Sequence, residues 1–186
     1  MDAPDIEISA ELTPNPNTLK FIVNRALVEA GTRNFPTLES SQGSALPSKL
    51  FENEAVAGVM IGQDFVTVTK KPELEWPSIA AGIVETIRTF LSTGEAPVGA
   101  LAETSGGGHV VTEIEQKIID ILNEEIRPAV ARDGGDIVFY GYEDGIVKLH
   151  LQGSCSSCPS SIMTLKMGIE SRLRQALPEI KEVQQV

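Results

Sequence analysis

The sequence predicts an α+β fold: two small domains of mixed helix and strand, joined by a flexible linker rich in Gly, Ala and Ser. Three observations predict it. The stretch from Ser92-Thr93-Gly94 to Gly106-Gly107-Gly108-His109 is rich in small residues and poor in large apolar ones, which is linker composition. On either side of it, period-two and helical apolar patterns occur together. The second flank reads in the order helix, strand, strand, a Cys-Ser-Ser-Cys loop, helix, strand. The expected boundaries are 1–91 for the first domain, 92–109 for the linker and 110–186 for the second domain.

In the first domain, Thr13-Pro14-Asn15-Pro16-Asn17 predicts a turn, because its prolines fix φ and its asparagines bond their own backbone. A strand over Thr18–Val23 follows. A strand pair is expected at Ala55–Ile61 and Phe65–Thr69, joined through Gly62-Gln63-Asp64. Pro47–Phe51 reads as a short helix. Pro77 to Leu91 reads as a longer one, with Ile79, Ile83, Ile87 and Phe90 or Leu91 at helical spacing and Pro77 in the first turn. This domain has no cysteine, no histidine and no Gly-rich phosphate loop.

In the second domain, Thr112 and Glu115 form a capping-box pattern at a helix start. Ile114, Ile118, Ile121 with Leu122, and Ile126 lay down an apolar stripe. Pro128 predicts a kink or interruption, and Asp133-Gly134-Gly135-Asp136 predicts the stop. Ile137–Tyr142 and Ile146–Leu151 read as strands joined at Glu143-Asp144-Gly145. Val147, Leu149 and Leu151 share one face, and Lys148, His150 and Gln152 the other. After the cysteines, Pro159 opens a helix with Ile162, Leu165, Ile169, Leu173 and Ala176 on its core side. Pro178 ends it, and 180–186 adds an edge strand.

Charge narrows the function classes. The 186 residues carry a net charge of −11, divided almost evenly between the two halves. Neither half has the basic footprint that nucleic acid requires, so DNA and RNA are excluded as partners. No apolar run approaches the length of a membrane span, so no membrane partner is expected. No Ser-His-Asp arrangement or helix-borne metal motif appears, which weighs against a hydrolase.

The chemistry concentrates in the only two cysteines, Cys155 and Cys158. Cys158 sits at or just before a helix start, where the helix dipole and unpaired N–H groups favour a thiolate. The loop from Gly153 to Ser157 otherwise contains only small residues, so nothing bulky is expected to shield the sulfurs and a second copy can come close. Three readings compete. One is a four-thiolate metal or cluster site built by two chains, each supplying two sulfurs. Another is a dithiol that cycles with a disulfide, although a helix and a hairpin replace the β-α-β lead-in of thioredoxin-like proteins. The third is two incidental small residues in a turn. A zinc site completed within the chain would have to recruit His109, in the linker, or His150, on a polar strand face.

Other polar residues have plainer readings. Asp133 and Asp136 flank two glycines at a helix stop and are read as turn and cap residues. Met163 and Met167 are read as core filler or dimer contacts, and Lys166, Arg172 and Arg174 as a solvated helix face.

The segments Ala131-Arg132-Asp133-Gly134-Gly135-Asp136-Ile137, Asp144-Gly145-Ile146-Val147 and Leu151-Gln152-Gly153-Ser154-Cys155-Ser156-Ser157-Cys158-Pro159-Ser160-Ser161 resemble the C-terminal domain of NifU. Thr13-Pro14-Asn15-Pro16-Asn17-Thr18-Leu19-Lys20-Phe21 and Asp64-Phe65-Val66-Thr67-Val68-Thr69-Lys70 are similar to the N-terminal domain of the Nfu iron–sulfur proteins. The resemblance covers nearly the whole chain apart from the linker. It implies a carrier rather than an enzyme. Cys155 and Cys158 would ligate a [4Fe–4S] cluster shared between two subunits of a homodimer, and the cluster would pass to recipient apo-proteins. The first domain would meet recipients or upstream assembly proteins. Full-length NifU has a separate assembly domain and a ferredoxin-like middle domain, and this chain has neither, which implies a late-acting carrier. Mitochondrial members begin with a transit peptide. The acidic start Met1-Asp2-Ala3-Pro4-Asp5 is unlike one, so a bacterial cytoplasmic protein is favoured over a processed one of the mitochondrial matrix. Dithiol oxidoreductase and zinc-bridged adaptor remain the alternatives.

Overall fold

The computed structural model describes residues 5–99, 111–156 and 159–186, with backbone alone for 159–161. It divides into two units, Met1–Ala102 and Glu103–Val186, each with its own apolar core. The α+β class holds for both.

The first unit is built on a five-stranded antiparallel sheet. Its strands are β1 (Ile8–Leu12), β2 (Thr18–Val23), β3 (Arg33–Phe35), β4 (Val56–Ile61) and β5 (Phe65–Lys70), in the order β1-β2-β5-β4-β3. Two helices pack against it, α1 (Ala45–Phe51) and α2 (Trp76–Ser92). Pro77 lies in the first turn of α2, where its missing N–H has no partner to lose. Ile83, Ile87, Phe90 and Leu91 are the buried stripe, and Ile79 is only half-buried. The turn before β2 is pinned by side chains. Asn15 Oδ1 accepts from the Asn17 N–H at 3.0 Å, and Thr13 Oγ1 donates to the Thr18 carbonyl at 2.9 Å. Asn17 Oδ1 in turn accepts from the buried Lys70 ammonium at 2.9 Å.

The front of the expected linker belongs to this unit. The Leu46 N–H donates to the Pro97 carbonyl at 3.0 Å, and the Gly99 N–H donates to Ser44 Oγ at 3.3 Å. Val98 packs against the same core. One medium-sized apolar residue among small ones is enough to anchor the segment. The rest of the expected linker, 100–109, lies outside the described residues.

The second unit follows the expected order. Helix α3 (Glu113–Ile121) begins at the capping box: the Glu115 N–H donates to Thr112 Oγ1, and Glu115 Oε2 accepts from the Thr112 N–H at 2.8 Å. The helix then widens into a π turn over Leu122–Ile126 before α4 (Arg127–Arg132). Pro128 is the cause we assign. It has no N–H and its ring crowds the preceding turn, so bonding shifts to the Arg127 N–H, which reaches back five residues to the Leu122 carbonyl. Asp133 caps α4, and Gly134 takes the left-handed conformation (φ 75°) that ends it.

Strands β6 (Gly135–Glu143) and β7 (Ile146–Gly153) form a hairpin. Its turn has positive φ at both Asp144 and Gly145, which matches the twist of the strands. Helix α5 (Pro159–Ala176) crosses over, and β8 (Glu182–Gln185) pairs parallel to β7 at the sheet edge. Val147, Leu149 and Leu151 face the core as expected. Ala176 does not: it is exposed, and Leu177 packs on the core in its place. The helix ends at Ala176, so the stripe passes to a residue beyond it. Among the described residues no helix is long and apolar enough to cross a membrane.

Candidate functional site

The site residues meet where the β6–β7 hairpin opens, beside the end of α4. Gly153 closes β7 with a positive φ of 64° and turns the chain back across the helix stop. Ser154 follows, almost wholly buried. Its N–H donates to the Gly134 carbonyl at 3.1 Å, and its hydroxyl donates to the Asp133 carbonyl. The Ser156 hydroxyl and N–H both return to the Gly153 carbonyl, at 2.8 and 3.2 Å. The loop is therefore tied to the Asp133-Gly134 turn by one serine and to itself by another.

Between these serines lies Cys155. Its side chain is 7% exposed and belongs to the core with Ile118, Leu122, Val130 and Leu151. A Cβ built on Gly135 would come within 2.5 Å of its sulfur and within 3.1 Å of the Gln152 carbonyl and Val130 Cγ1. Gly135 is thus the empty side of a cradle that the sulfur fills. The expected unshielded loop is corrected here for Cys155. Small residues let the loop fold down, and a thiol is apolar enough to be buried with it. Burial pushes the thiol pKa up. The Ser154 contact at 3.8 Å opposes that shift, and the charges of Asp133 and Asp136 add to it. Cys158, the second expected ligand, lies outside the described residues, as does His109.

Asp136 is held by its neighbours. Its buried carboxylate accepts two bonds from Arg127, Nε to Oδ1 at 2.9 Å and the terminal nitrogen to Oδ2 at 2.8 Å. Oδ1 also accepts from the Ile137 N–H at 2.7 Å. The pair ties the start of α4 to the start of β6, on either side of the turn that Ser154 holds. Arg127 borders the candidate site without any pattern having marked it, and Gly135 and Ser154, expected only as parts of a helix stop and a small-residue loop, form the cradle. One signal was available: a helix stop needs a single left-handed glycine, and the sequence supplies two.

The remaining candidates separate clearly. His150 Nδ1 donates to the Val186 carbonyl at 2.6 Å, and its ring lies 5.9 Å from that of Tyr140, so it serves the sheet edge. Met163 and Met167 are 62% and 65% exposed, which removes the core-filler reading. Lys166, Arg172 and Arg174 are each paired with a carboxylate, on Glu182, Glu125 and Glu170 respectively. Among the described residues no three His, Cys, Asp or Glu side chains converge as a metal site would require.

Comparison with known proteins agrees with this anatomy. The model of the NifU-like domain matches residues 118–184, and that of the scaffold protein Nfu/NifU N terminus matches residues 8–94. The human NFU1 iron-sulfur cluster scaffold homolog, mitochondrial, is 42% identical over 184 residues, covering 96% of this chain and 71% of the human protein. The protein of the same name from Drosophila ananassae is 40% identical over 183 residues, and this chain spans 64% of its length. A solution NMR structure of a NifU-like protein from Saccharomyces cerevisiae is 26% identical with a TM-score of 0.47, covering 54% of this chain and 91% of that one. With both domains matched in order and two-fifths identity along nearly its whole length, the chain belongs to the Nfu family of NifU-like proteins.

Proposed function

We propose that this chain carries an iron–sulfur cluster, held through Cys155 and Cys158, and hands it to recipient apo-proteins. The observation that carries the reading is the placement of Cys155. Its sulfur fills a cradle made by the helix stop and the hairpin mouth, inside the region that the NifU-like model matches. Relatives named as iron–sulfur cluster scaffolds support the cargo. The first unit then serves contact with recipients or upstream assembly proteins, and the second holds the cluster. The chain is a carrier on this reading and performs no catalysis. The relatives' names place them in mitochondria, which favours the mitochondrial matrix; the bacterial cytoplasm preferred from the acidic start finds no support among them.

Two cysteines per chain supply half the ligands of a four-thiolate cluster, so the complete site takes a second copy. We assign a [4Fe–4S] cluster to it. Loading displaces the Cys155 proton and draws the sulfur out of its packing. Release reverses both. A recipient thiol gives up its proton and bonds iron, the iron–Cys155 bond breaks, and the Cys155 sulfur takes a proton and returns to its cradle. No electron is gained or lost. Burial favours the neutral thiol, so the resting fold pulls toward release.

The test is anaerobic reconstitution with ferrous iron and sulfide, followed by metal, sulfide and mass analysis. About four iron and four sulfide per dimer are expected. Cys155→Ser and Cys158→Ser are each expected to lose the cluster and the cluster-dependent dimer while the apo fold survives. A variant that retains a full cluster would overturn the reading. A colourless monomer cycling between dithiol and disulfide would make the chain an oxidoreductase, and a colourless zinc dimer would make it an adaptor.

A further inference from the structure

Two large apolar side chains, Met163 and Met167, stand in solvent one helical turn apart on α5. Nothing in the second unit's core uses them. Beside them, Gly168 occupies a helix interior, where glycine is the poorest former after proline. A Cβ built on it would meet nothing within 4 Å, so no packing among the described residues demands a glycine there. An exposed methionine pair and an unforced glycine share the same stretch of helix.

We propose that this face of α5 is where a second copy of the chain docks when the cluster is shared. The inference rests on the proposed function, and its occupant follows from three arguments. The first is position. The four-thiolate site is incomplete without a second copy, and α5 starts at the residue after Cys158. Met163 and Met167 lie within about 12 Å of rise from that start. A two-fold axis through a shared cluster brings the beginnings of both α5 helices together, and these are the apolar residues those helices expose.

The second argument is charge. A chain of net charge −11 repels its own copy over most of its surface. Along α5 the only carboxylate is Glu170, and it is paired with Arg174 at 3.0 Å. Lys166 is paired with Glu182, and Arg172 with Glu125. The face is apolar with a neutralised rim. It has no uncompensated charge to select an acidic or basic partner, and it suits an isologous contact in which each copy meets the same residues.

The third argument is size. Two methionines, with Ile162 in the shallow groove that Met163 and Lys166 form against Gln184 and Gln185, fall far below the ~1,200 Å² of a stable interface. Such a contact cannot hold two chains alone. It can hold them once four iron–sulfur bonds cross the axis, and release them when those bonds exchange. Gly168 lies about 100° around the helix from Met167, at the edge of this exposed surface, where the lack of a side chain leaves room for the facing chain.

The experiment compares wild type, Met163→Gln/Met167→Gln and Gly168→Gln, each reconstituted anaerobically. Iron and sulfide per chain, dimer dissociation on dilution and the melting temperature of the apo form are measured. The double variant is expected to match the wild-type melting temperature while its cluster-bound dimer dissociates at least tenfold more readily. Gly168→Gln is expected to raise the apo melting temperature by about 4 °C, as a better helix former, and still weaken the dimer. Opposite signs in one variant separate a docking role from general damage. A wild-type cluster dimer matched in affinity by both variants overturns the contact and leaves the carrier reading standing. So does a double variant that dimerises normally but transfers its cluster slowly, which would give the face to a recipient. Wild type that binds no cluster overturns both.

Discussion

The sulfur of Cys155 occupies space that any side chain at residue 135 would need: a Cβ on Gly135 falls 2.5 Å from it. Real Cβ atoms do not approach sulfur that closely, and the other neighbours, Val130 and the Gln152 carbonyl, leave little room to yield. Gly135→Ala is therefore expected to push the sulfur out and to cost about 1–3 kcal/mol, as overpacking does. Urea unfolding followed at the short-wavelength emission of Tyr140 and Tyr142, the chain's two tyrosines, reads the second unit apart from the longer-wavelength signal of Trp76 in the first. Iron retained after reconstitution reads the ligand position. A variant with wild-type stability and wild-type iron would show that the cradle is open in solution.

The ion pair above the cradle gives a second expectation. Arg127→Met removes both bonds that the guanidinium gives the Asp136 carboxylate, which is 3% exposed. Breaking a fully buried pair costs about 3–5 kcal/mol, and Arg127 is one-third exposed, so about 2 kcal/mol is expected. Asp136→Asn in the Arg127→Met background should recover part of the loss. The same tyrosine-detected unfolding measures both. Failure of the second change to rescue the first would mean that packing, not charge, is what Arg127 contributes.

In the first unit the equivalent test is Asn17→Ala. Lys70 is 5% exposed and its ammonium rests on Asn17 Oδ1 and, more distantly, on the Lys71 carbonyl. Loss of a charged hydrogen-bond partner in a buried setting is expected to cost about 2 kcal/mol. The chain's one tryptophan, Trp76, bonds the neighbouring Pro16 carbonyl at 3.0 Å, so its emission should report the loosened turn directly. Unchanged emission and stability would show that water replaces Asn17 without penalty.

The raised pKa of Cys155 has a definite sign in stability. Its causes, burial first, favour the protonated thiol in the folded state. The folded chain therefore keeps a proton that the unfolded chain loses near the ordinary thiol value of about 8.5. The stabilisation is complete below that pH and is lost as pH rises through the folded value. Between about pH 8 and 10 the apo wild type should lose melting temperature more steeply than Cys155→Ala. Parallel slopes would place the thiol in water.

These residues also show what the sequence could and could not disclose. Helix α5, the hairpin and the capping box were legible because periodicity, turn glycines and capping chemistry are local. The edge strands β1 and β3 were not. β1 exposes most of its residues, Leu12 among them at 89%, and β3 has only three. Neither offers an alternating face, and both exist because a neighbouring strand supplies the hydrogen bonds. At the site, the two cysteines were legible by type and spacing. That Cys155 is buried was not, because the pocket is made by Gly135 and Val130, twenty and twenty-five residues upstream. Arg127 was hidden for the same reason: its partnership with Asp136 depends on how the helix turns between them.

That helix has a last consequence. A π turn holds one more residue than the α turn it replaces, so everything beyond Leu122–Ile126 is indexed one step later than a regular helix would set it. Wind the same residues as an unbroken α-helix and Arg127 would be swung by about 100° around the axis, away from Asp136. The clamp beside the cysteine would then be broken. The phase of the chain at this point, and not only its composition, is thus part of what the site is made from.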